Sequence, residues 1–318
     1  MKTKLLLLTL LMSAFSWGQF NIAAGGTNYT QNFNTLTNGA WSNNTTLTGW
    51  YAKTTATASI TNYGANTGTT TTAGLYAYGI NVTNPLSERA LGHSTSNAYT
   101  GSAGSGLNLI GWRLKNTTGG DITSITITYT GEQWRKDNTV AHSMNVEYLV
   151  GTTVTDLTTT GWTSIPALTF TSPIITSGAA ALDGNAPANR VANITTTITV
   201  TVPDGEEIMI RWSDLNDSAN DHHLAIDDVT VNATVSSGCT DPVAQATDIV
   251  ISNPSTTGYT ISWTAGSPST GTMVVMRQTA NPLVAPTSGT TYAANTAFGS
   301  GADLGSNNFV FIKARAHL

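Results

Sequence analysis

The chain has 318 residues, of which only 10% are charged, and its formal net charge at pH 7 is −5. Its first 19 residues hold two of the 13 Lys and Arg, so the rest carries 11 basic against 18 acidic residues, a net charge of −7. Such an acidic chain does not favour nucleic acid or anionic membranes as partners. A single cysteine, Cys239, excludes an intramolecular disulfide, so packing must hold the fold together.

The N-terminus has the pattern of an export signal. Lys2 and Lys4 precede the apolar run of residues 5–12, and small residues follow before Trp17. This predicts a cleaved signal peptide over residues 1–19 and a secreted or cell-surface location. The apolar run is much shorter than the roughly 20 residues of a membrane-spanning helix, and no later stretch comes closer, so we expect no membrane span.

Threonine, serine, asparagine and glycine dominate the remainder, a composition that suits exposed strand faces and turns. In the first segment, Trp41, Trp50 and Tyr51 are predicted as core aromatics or as rings that stack on a sugar, and Trp134 later in the chain has the same two interpretations. Residues 53–73 are a Thr, Ala, Asn and Gly run. They fit either a loop or an exposed pair of strands.

Clear strand patterns occupy the middle of the chain. Apolar residues alternate over residues 122–129, 144–150 and 194–202, with turn residues between these stretches. Short, regularly spaced strands without intervening helices predict an all-β fold, an antiparallel jelly-roll β-sandwich over residues 20–234.

Residues 205–231 combine two strand patterns with the densest group of acidic and imidazole side chains. The loop between the strands offers carboxylate and amide oxygens, which suit a hard cation such as calcium. Asp221, His222 and His223 also permit a transition-metal or hydrolytic centre. Adjacent histidines on a strand point to opposite faces, however, which opposes a shared ion, and a hydrogen-bonded turn without any ion is the third alternative. Asp227 is the best single ligand candidate.

Three further pairs of charged residues are interpreted as surface ion pairs or sheet-face pairs. They are Glu88 with Arg89, Glu132 with Arg135, and Arg211 with Asp214. His93 and His142 are isolated in the sequence and are interpreted as incidental.

Six motifs carry a resemblance to a known group of proteins. In order they are QNFNTL, SERALG, ITYTGEQWR, LDGN with a following Arg190, IRWSDLND and HHLAIDDV. They resemble secreted bacterial jelly-roll modules that sit ahead of endonuclease/exonuclease/phosphatase or fibronectin type III domains. The chain is also loosely similar to MAM domains and carbohydrate-binding jelly rolls. That resemblance implies a structural calcium ion between the first and last strands, with Asp227, Asp228, Asn32 and Asn34 as its candidate ligands. Those relatives usually place an acidic residue where this chain has the two asparagines.

A linker over residues 235–245 is predicted to lead to a second module, residues 246–318. Its strand patterns resemble strands A, B and C of a fibronectin type III domain, with Trp263 as the buried tryptophan. Residues 289–292 imitate the tyrosine corner of that family, but no alternating strand follows them. We therefore interpret the second module as truncated.

No nucleophile, phosphate-loop or metalloprotease motif is present. The sequence favours an exported, non-catalytic module that binds a glycan or a cell-surface partner and forms part of a larger secreted protein. The alternative is the N-terminal fragment of a secreted metal-dependent nuclease, phosphatase or other hydrolase whose catalytic domain lies elsewhere.

Overall fold

The structure is a computed structural model that describes residues 20–23, 29–83, 88–235, 244–256, 258–266, 271–277, 283–287, 290 and 292–315. The predicted signal peptide, most of the predicted linker with Cys239, and two residues of the predicted corner, Gly289 and Thr291, lie outside these ranges. The chain divides into two compact units, Met1–Val235 and Ser236–Leu318. Each is described by itself below.

The fold is all-β, which confirms the predicted class. Helices in the described residues are short: α1 (Asn97–Thr100) and two 3₁₀ turns, Pro166–Leu168 and Pro187–Asn189. The strands of the first unit are β1 (Phe20–Ala23), β2 (Tyr29–Gln31), β3 (Gly39–Ala40), β4 (Trp50–Thr54), β5 (Asn62–Asn66), β6 (Gly74–Tyr78), β7 (Ala90–Ser94), β8 (Leu107–Thr117), β9 (Ile122–Lys136), β10 (Ser143–Gly151), β11 (Thr163–Ser164), β12 (Phe170–Thr171), β13 (Ala180–Ala181), β14 (Arg190–Val202), β15 (Glu207–Leu215) and β16 (His223–Val235). Those of the second unit are β17 (Thr247–Ser252), β18 (Thr260–Thr264), β19 (Gly271–Arg277) and β20 (Asn308–Arg315).

Two sheets form the first unit in a sandwich-like arrangement. One has the order β1-β8-β15-β10-β11, with β4 on β8 and β12 on β10. The other has the order β13-β9-β16-β7-β6-β5-β3, with β14 on β9 and β2 on β16. The long strands β9 and β16 pair antiparallel along most of their length. Residues on these two strands that are far apart in the sequence therefore share one sheet face.

Large aromatic rings fill the core between the sheets. Trp50 stacks on Trp212 with ring centroids 5.8 Å apart and meets Phe33 edge-on at 4.8 Å. Its indole nitrogen donates a hydrogen bond to the Tyr29 hydroxyl at 2.5 Å. This packing holds the first strands of the chain against β15, one of the last.

Each sheet also has a smaller apolar cluster on its outer face. On the first sheet, Leu157 and Val154 cover Met209. On the second, Trp134 packs with Tyr78 and Ala225. Gly184 touches the Trp134 ring so closely that an added Cβ would lie 2.4 Å from it. Loops thus bury parts of both outer faces, and polar side chains on those faces become buried as well.

Residues 53–73, for which the sequence left two interpretations, contain one strand of their own. β5 runs parallel to β6, and β3 pairs antiparallel with its other edge. Residues 53–54 end β4, and the other residues of this segment are loop.

The second unit contains two separate two-stranded sheets, β17-β18 and β19-β20. The strands lie where the sequence patterns predict them. Trp263, however, is partly exposed rather than buried, because the described residues form no closed sandwich around it. The Tyr292 hydroxyl accepts a hydrogen bond from the Thr287 backbone nitrogen at 3.0 Å, but residues 292–307 contain no strand.

Candidate functional site

The four aromatic residues predicted as a sugar platform lie in the interior. Trp41, Trp50, Tyr51 and Trp134 are 3%, 0%, 6% and 1% exposed. A ring with so little accessible surface cannot stack on a sugar in solution, so we correct their assignment to core residues. Sequence alternation alone does not separate the two roles, because a strand with covered faces on both sides buries every aromatic residue it carries.

The predicted surface ion pairs have other partners. Arg135 pairs with Asp137 at 2.6 Å, and Arg211 pairs with Glu147 at 2.7 Å rather than with Asp214. Both guanidinium groups are mostly buried. These changes leave Glu132 without the partner that the sequence suggested.

Glu88, Glu132 and Asp227 converge on the outer face of the second sheet, and we name this group the carboxylate centre. One carboxylate oxygen from each lies within 4.8 Å of the others. Glu132 lies on β9 opposite Ala225 of β16, which places it beside Asp227 on the same face. Glu88 lies two residues before β7, which also pairs with β16. Three segments that are distant in the sequence therefore meet at one point.

Burial distinguishes the carboxylate centre from an ordinary acidic surface. Glu132 and Asp227 are 0% and 1% exposed, and Glu88 is half-buried. Burial raises the pKa of Glu132 to about 7, although the Trp134 hydrogen bond opposes this shift. Burial, contact with Glu88 and the charge of Asp228 raise the pKa of Asp227 well above its usual range. Burial thus favours the protonated form of these two carboxyl groups.

The two asparagines expected to join Asp227 accept hydrogen bonds from other residues. The Asn34 side-chain oxygen accepts the Arg89 backbone N–H at 2.6 Å, and the Asn32 side-chain oxygen accepts the Asn34 backbone N–H at 3.3 Å. Asn32 and Asp228 share a surface pocket that Asp227 does not line. Asn32 and Asp228 thus line the pocket, whereas Asn34 is hydrogen-bonded to Arg89, the residue that follows Glu88.

That pocket has a volume of about 280 Å³ and is lined by Thr30, Gln31, Asn32, Asp228, Val229 and Thr230. Asp228 is exposed and has a φ of 48°, where the strand register shifts between Asp227 and Thr230. This irregularity separates the environments of the two neighbouring aspartates, one buried and one in the pocket.

Rows of hydroxyl groups extend from the pocket across the second sheet. Thr30 lies opposite Thr230, which lies opposite Thr128, which in turn lies opposite Thr195. The next row holds Asn232, Thr126 and Thr197. The Oγ1 atoms of Thr128 and Thr195 are 2.7 Å apart, and those of Thr126 and Thr197 are 2.8 Å apart. We name these two rows and the adjoining pocket the hydroxyl face.

His142, interpreted from the sequence as isolated, belongs to a second group of possible metal ligands with Asp217 and Asp221. Its Nδ1 atom lies 3.3 Å from an Asp217 oxygen and 3.5 Å from an Asp221 oxygen. Its Nε2 atom lies 3.0 Å from the Asn138 amide nitrogen, and the same Asp221 oxygen accepts the Asp217 backbone N–H at 2.8 Å. Hydrogen bonds within the turn thus connect this group, and the three alternatives stay predictions.

His222 and His223 diverge, as expected for neighbours on a strand. His222 accepts the Asp137 backbone N–H through Nδ1 and donates to the Val140 carbonyl oxygen through Nε2, each at 3.0 Å. His223 instead lies 3.1 Å from the Ser94 hydroxyl. No single ion can use both rings.

Sequence reasoning missed Glu88 and Glu132 as members of a common centre. Their proximity depends on the register of β9 against β16 and on the approach of β7, which no local pattern reports. In the sequence, each acid lies two residues before an apolar residue that the structure buries, Ala90 in one motif and Trp134 in the other.

No family model matches the sequence, and no curated protein matches it. Two solved structures show a limited likeness. The enzymatically active domain of tailspike protein 4 from bacteriophage CBA120 is 12% identical over 62% of this chain and 21% of its own, with a TM-score of 0.25. The exo-β-1,3-galactanase of Phanerochaete chrysosporium is 10% identical over 65% of this chain and 29% of its own, with a TM-score of 0.22. The chain spans less than a third of either, and likenesses this weak do not bear on its function.

In the part of the chain that the structure describes, no helix has the length and apolar character needed to cross a membrane.

Proposed function

We propose that this chain is an exported, non-catalytic binding module whose first unit binds a glycan on a cell surface through the hydroxyl face. The observation that carries the proposal is the pocket beside Asp228, which continues into ordered rows of threonine side chains. The signal-like residues 1–19 and the net negative charge support export and a partner other than nucleic acid.

The chemistry of this face suits a polyhydroxylated ligand. Threonine hydroxyls donate and accept, asparagine amides do both, and the Asp228 carboxylate accepts from two hydroxyls at once. The strands fix the threonines in place, so little side-chain entropy is lost when a ligand binds. The pocket supplies the concave end where one sugar can be enclosed, and the rows supply further contacts along a chain.

A glycan array with the purified full-length chain tests this function, followed by affinity electrophoresis on the glycans that bind. Asp228→Asn keeps a residue type that tolerates a positive φ but removes the charge, and Thr230→Val removes a hydroxyl at nearly constant shape. Asp228→Asn should lower affinity at least about tenfold, because a hydrogen bond to a charged group contributes about 1.5–3 kcal/mol. Thr230→Val should lower it about fivefold, because a neutral hydrogen bond contributes about 1 kcal/mol.

The matched control is Thr153→Val, an exposed threonine between β10 and β11 in the other sheet, which should leave affinity unchanged. Failure to retain any glycan would contradict the proposal, as would equal effects of Thr153→Val and Thr230→Val. The same preparation should be assayed on phosphodiester, ester and glycoside substrates. Turnover lost in Asp227→Ala would replace the binding function by the hydrolase alternative.

A further inference from the structure

We propose that the carboxylate centre of Glu88, Glu132 and Asp227 is a binding site for a hard divalent cation, with calcium as the preferred ion. The inference is independent of the hydroxyl face, because no residue of the centre lines the pocket. The proposed ligand set also differs from the one expected from the sequence. It keeps Asp227 but has Glu88 and Glu132 in place of Asn32, Asn34 and Asp228.

The spacing of the three carboxylates fits one ion of this class. Calcium binds oxygen at about 2.3–2.6 Å, so two ligand oxygens on opposite sides of the ion are separated by about 4.6–5.2 Å. The three nearest oxygens of the centre all lie within 4.8 Å of one another. A single calcium ion can therefore contact all three side chains without a change in the strands.

Two buried oxygens of the centre lack a protein partner. They are Oε1 of Glu132 and Oδ1 of Asp227, which accept no hydrogen bond from the described residues. The other oxygen of Glu132 accepts the Trp134 indole N–H at 2.9 Å. Buried carboxylate oxygens are normally hydrogen-bonded or bound to a metal, because leaving them unpaired costs several kcal/mol. These two atoms are the ones that a cation would contact.

The ligand chemistry selects among the metals. The centre offers only carboxylate oxygens, whereas zinc and the later transition metals prefer imidazole and thiolate. Magnesium requires a near-ideal octahedron and keeps several waters, which a site with two fully buried ligands accommodates poorly. Half-buried Glu88 gives the ion a route from solvent. Arg190, opposite Glu132 on β14, compensates part of the remaining negative charge.

The test uses the full chain after treatment with EDTA and dialysis. Isothermal titration with calcium chloride should show one site per chain in the first unit, and magnesium chloride should bind more weakly. Calcium at a hundredfold excess over its dissociation constant should raise the melting temperature of that unit by about 5–10 °C. No binding at millimolar calcium, or equal melting curves with calcium and with EDTA, would overturn the proposal.

Variants locate the site. Glu132→Gln and Asp227→Asn keep shape but remove charge, and each should abolish both the calcium titration and the calcium-dependent shift. The control Asp121→Asn changes an exposed carboxylate and should bind calcium as the unmodified chain does. In EDTA, Asp227→Asn should melt no lower than the unmodified chain, since it removes repulsion. Calcium binding retained by both carboxylate variants would place the ion elsewhere and contradict the proposal.

Discussion

The two units of this chain bury their apolar side chains to very different extents. In the first unit, the main core contains Trp50, Trp112 and Trp212, each at most 1% exposed. In the second unit, Ile249 and Ile251 are 66% and 63% exposed although they lie on a strand. Both units have the alternation typical of half-buried strands, so alternation shows where a strand forms and not whether a second sheet covers it.

The difference also explains where the candidate sites lie. Loops that cover the outer faces of the first unit bury carboxylates beside tryptophan and tyrosine, as at Glu132. The described part of the second unit has two-stranded sheets, which bury few side chains on either face. A buried, unpaired polar group requires such covered surfaces, so we assign the carboxylate centre to the first unit.

Core truncation should produce the largest contrast between the units. Trp50→Ala removes a fully buried ring that contacts Phe33 and Trp212 and leaves the Tyr29 hydroxyl without its donor, and it should destabilise the first unit by about 3–5 kcal/mol. Ile251→Ala should change the stability of the second unit by no more than about 0.5 kcal/mol. Differential scanning calorimetry separates the transitions, and similar losses in the two variants would show that the second unit has a covered core.

Limited proteolysis should show a smaller but clear difference between the units. Sheets of two strands are marginally stable, so the second unit should open and be cut first. The expected product is a resistant fragment that ends near Val235, identified by mass spectrometry. A resistant fragment from the second unit, monomeric and cooperatively folded, would show that the unit is complete and that our interpretation as a truncated module is wrong.

The smallest effect per step is a pH dependence of the first unit's stability, which changes gradually over several pH units. Burial lowers the pKa of His223 to about 3, from 6.5 in an exposed histidine. Between about pH 3 and pH 6.5, the unfolded chain therefore binds a proton at His223 that the native chain does not bind. Stability is therefore complete above about pH 6.5 and falls as the pH drops toward 3, by at most about 1.4 kcal/mol per pH unit.

His223→Gln removes this titration and keeps a polar group near the Ser94 hydroxyl. The stability of the variant should depend less steeply on pH between 6 and 4 than that of the unmodified chain. The difference between the two curves of stability against pH reports His223 alone, because carboxyl groups that titrate in the same pH range contribute to both curves. Parallel curves would contradict the buried, neutral state of this histidine.

Local sequence patterns predicted much of the fold, because strand formation and turns depend on neighbouring residues in the sequence. Alternation over residues 122–129 and 144–150 and the turns around them correspond to β9 and β10. From the sequence, Asp227 is the best single ligand candidate, and the structure buries its side chain on the outer face of the second sheet. A buried carboxylate must be neutralised by a proton, a basic group or a cation, whatever segments surround it.

The remainder of the candidate sites depends on pairings between distant segments. The partners of Asp227 come from β9 and from the segment before β7, and the rows of the hydroxyl face depend on the registers of β2, β9, β14 and β16. A shift of one residue in any of these pairings would turn the threonines inward and separate the carboxylates. The sequence does not state those registers, so it predicted the fold class better than the sites.

Hydrogen exchange of the full chain, with calcium and with EDTA, tests most directly the central claim that a cation ties three segments of the first unit together. Our account predicts that calcium slows exchange around Glu88 and β7, in β9 near Glu132 and in β16 near Asp227, and leaves β17 to β20 unchanged. Exchange that is identical under the two conditions would contradict the claim. Calcium-dependent protection located in the second unit would contradict it as well.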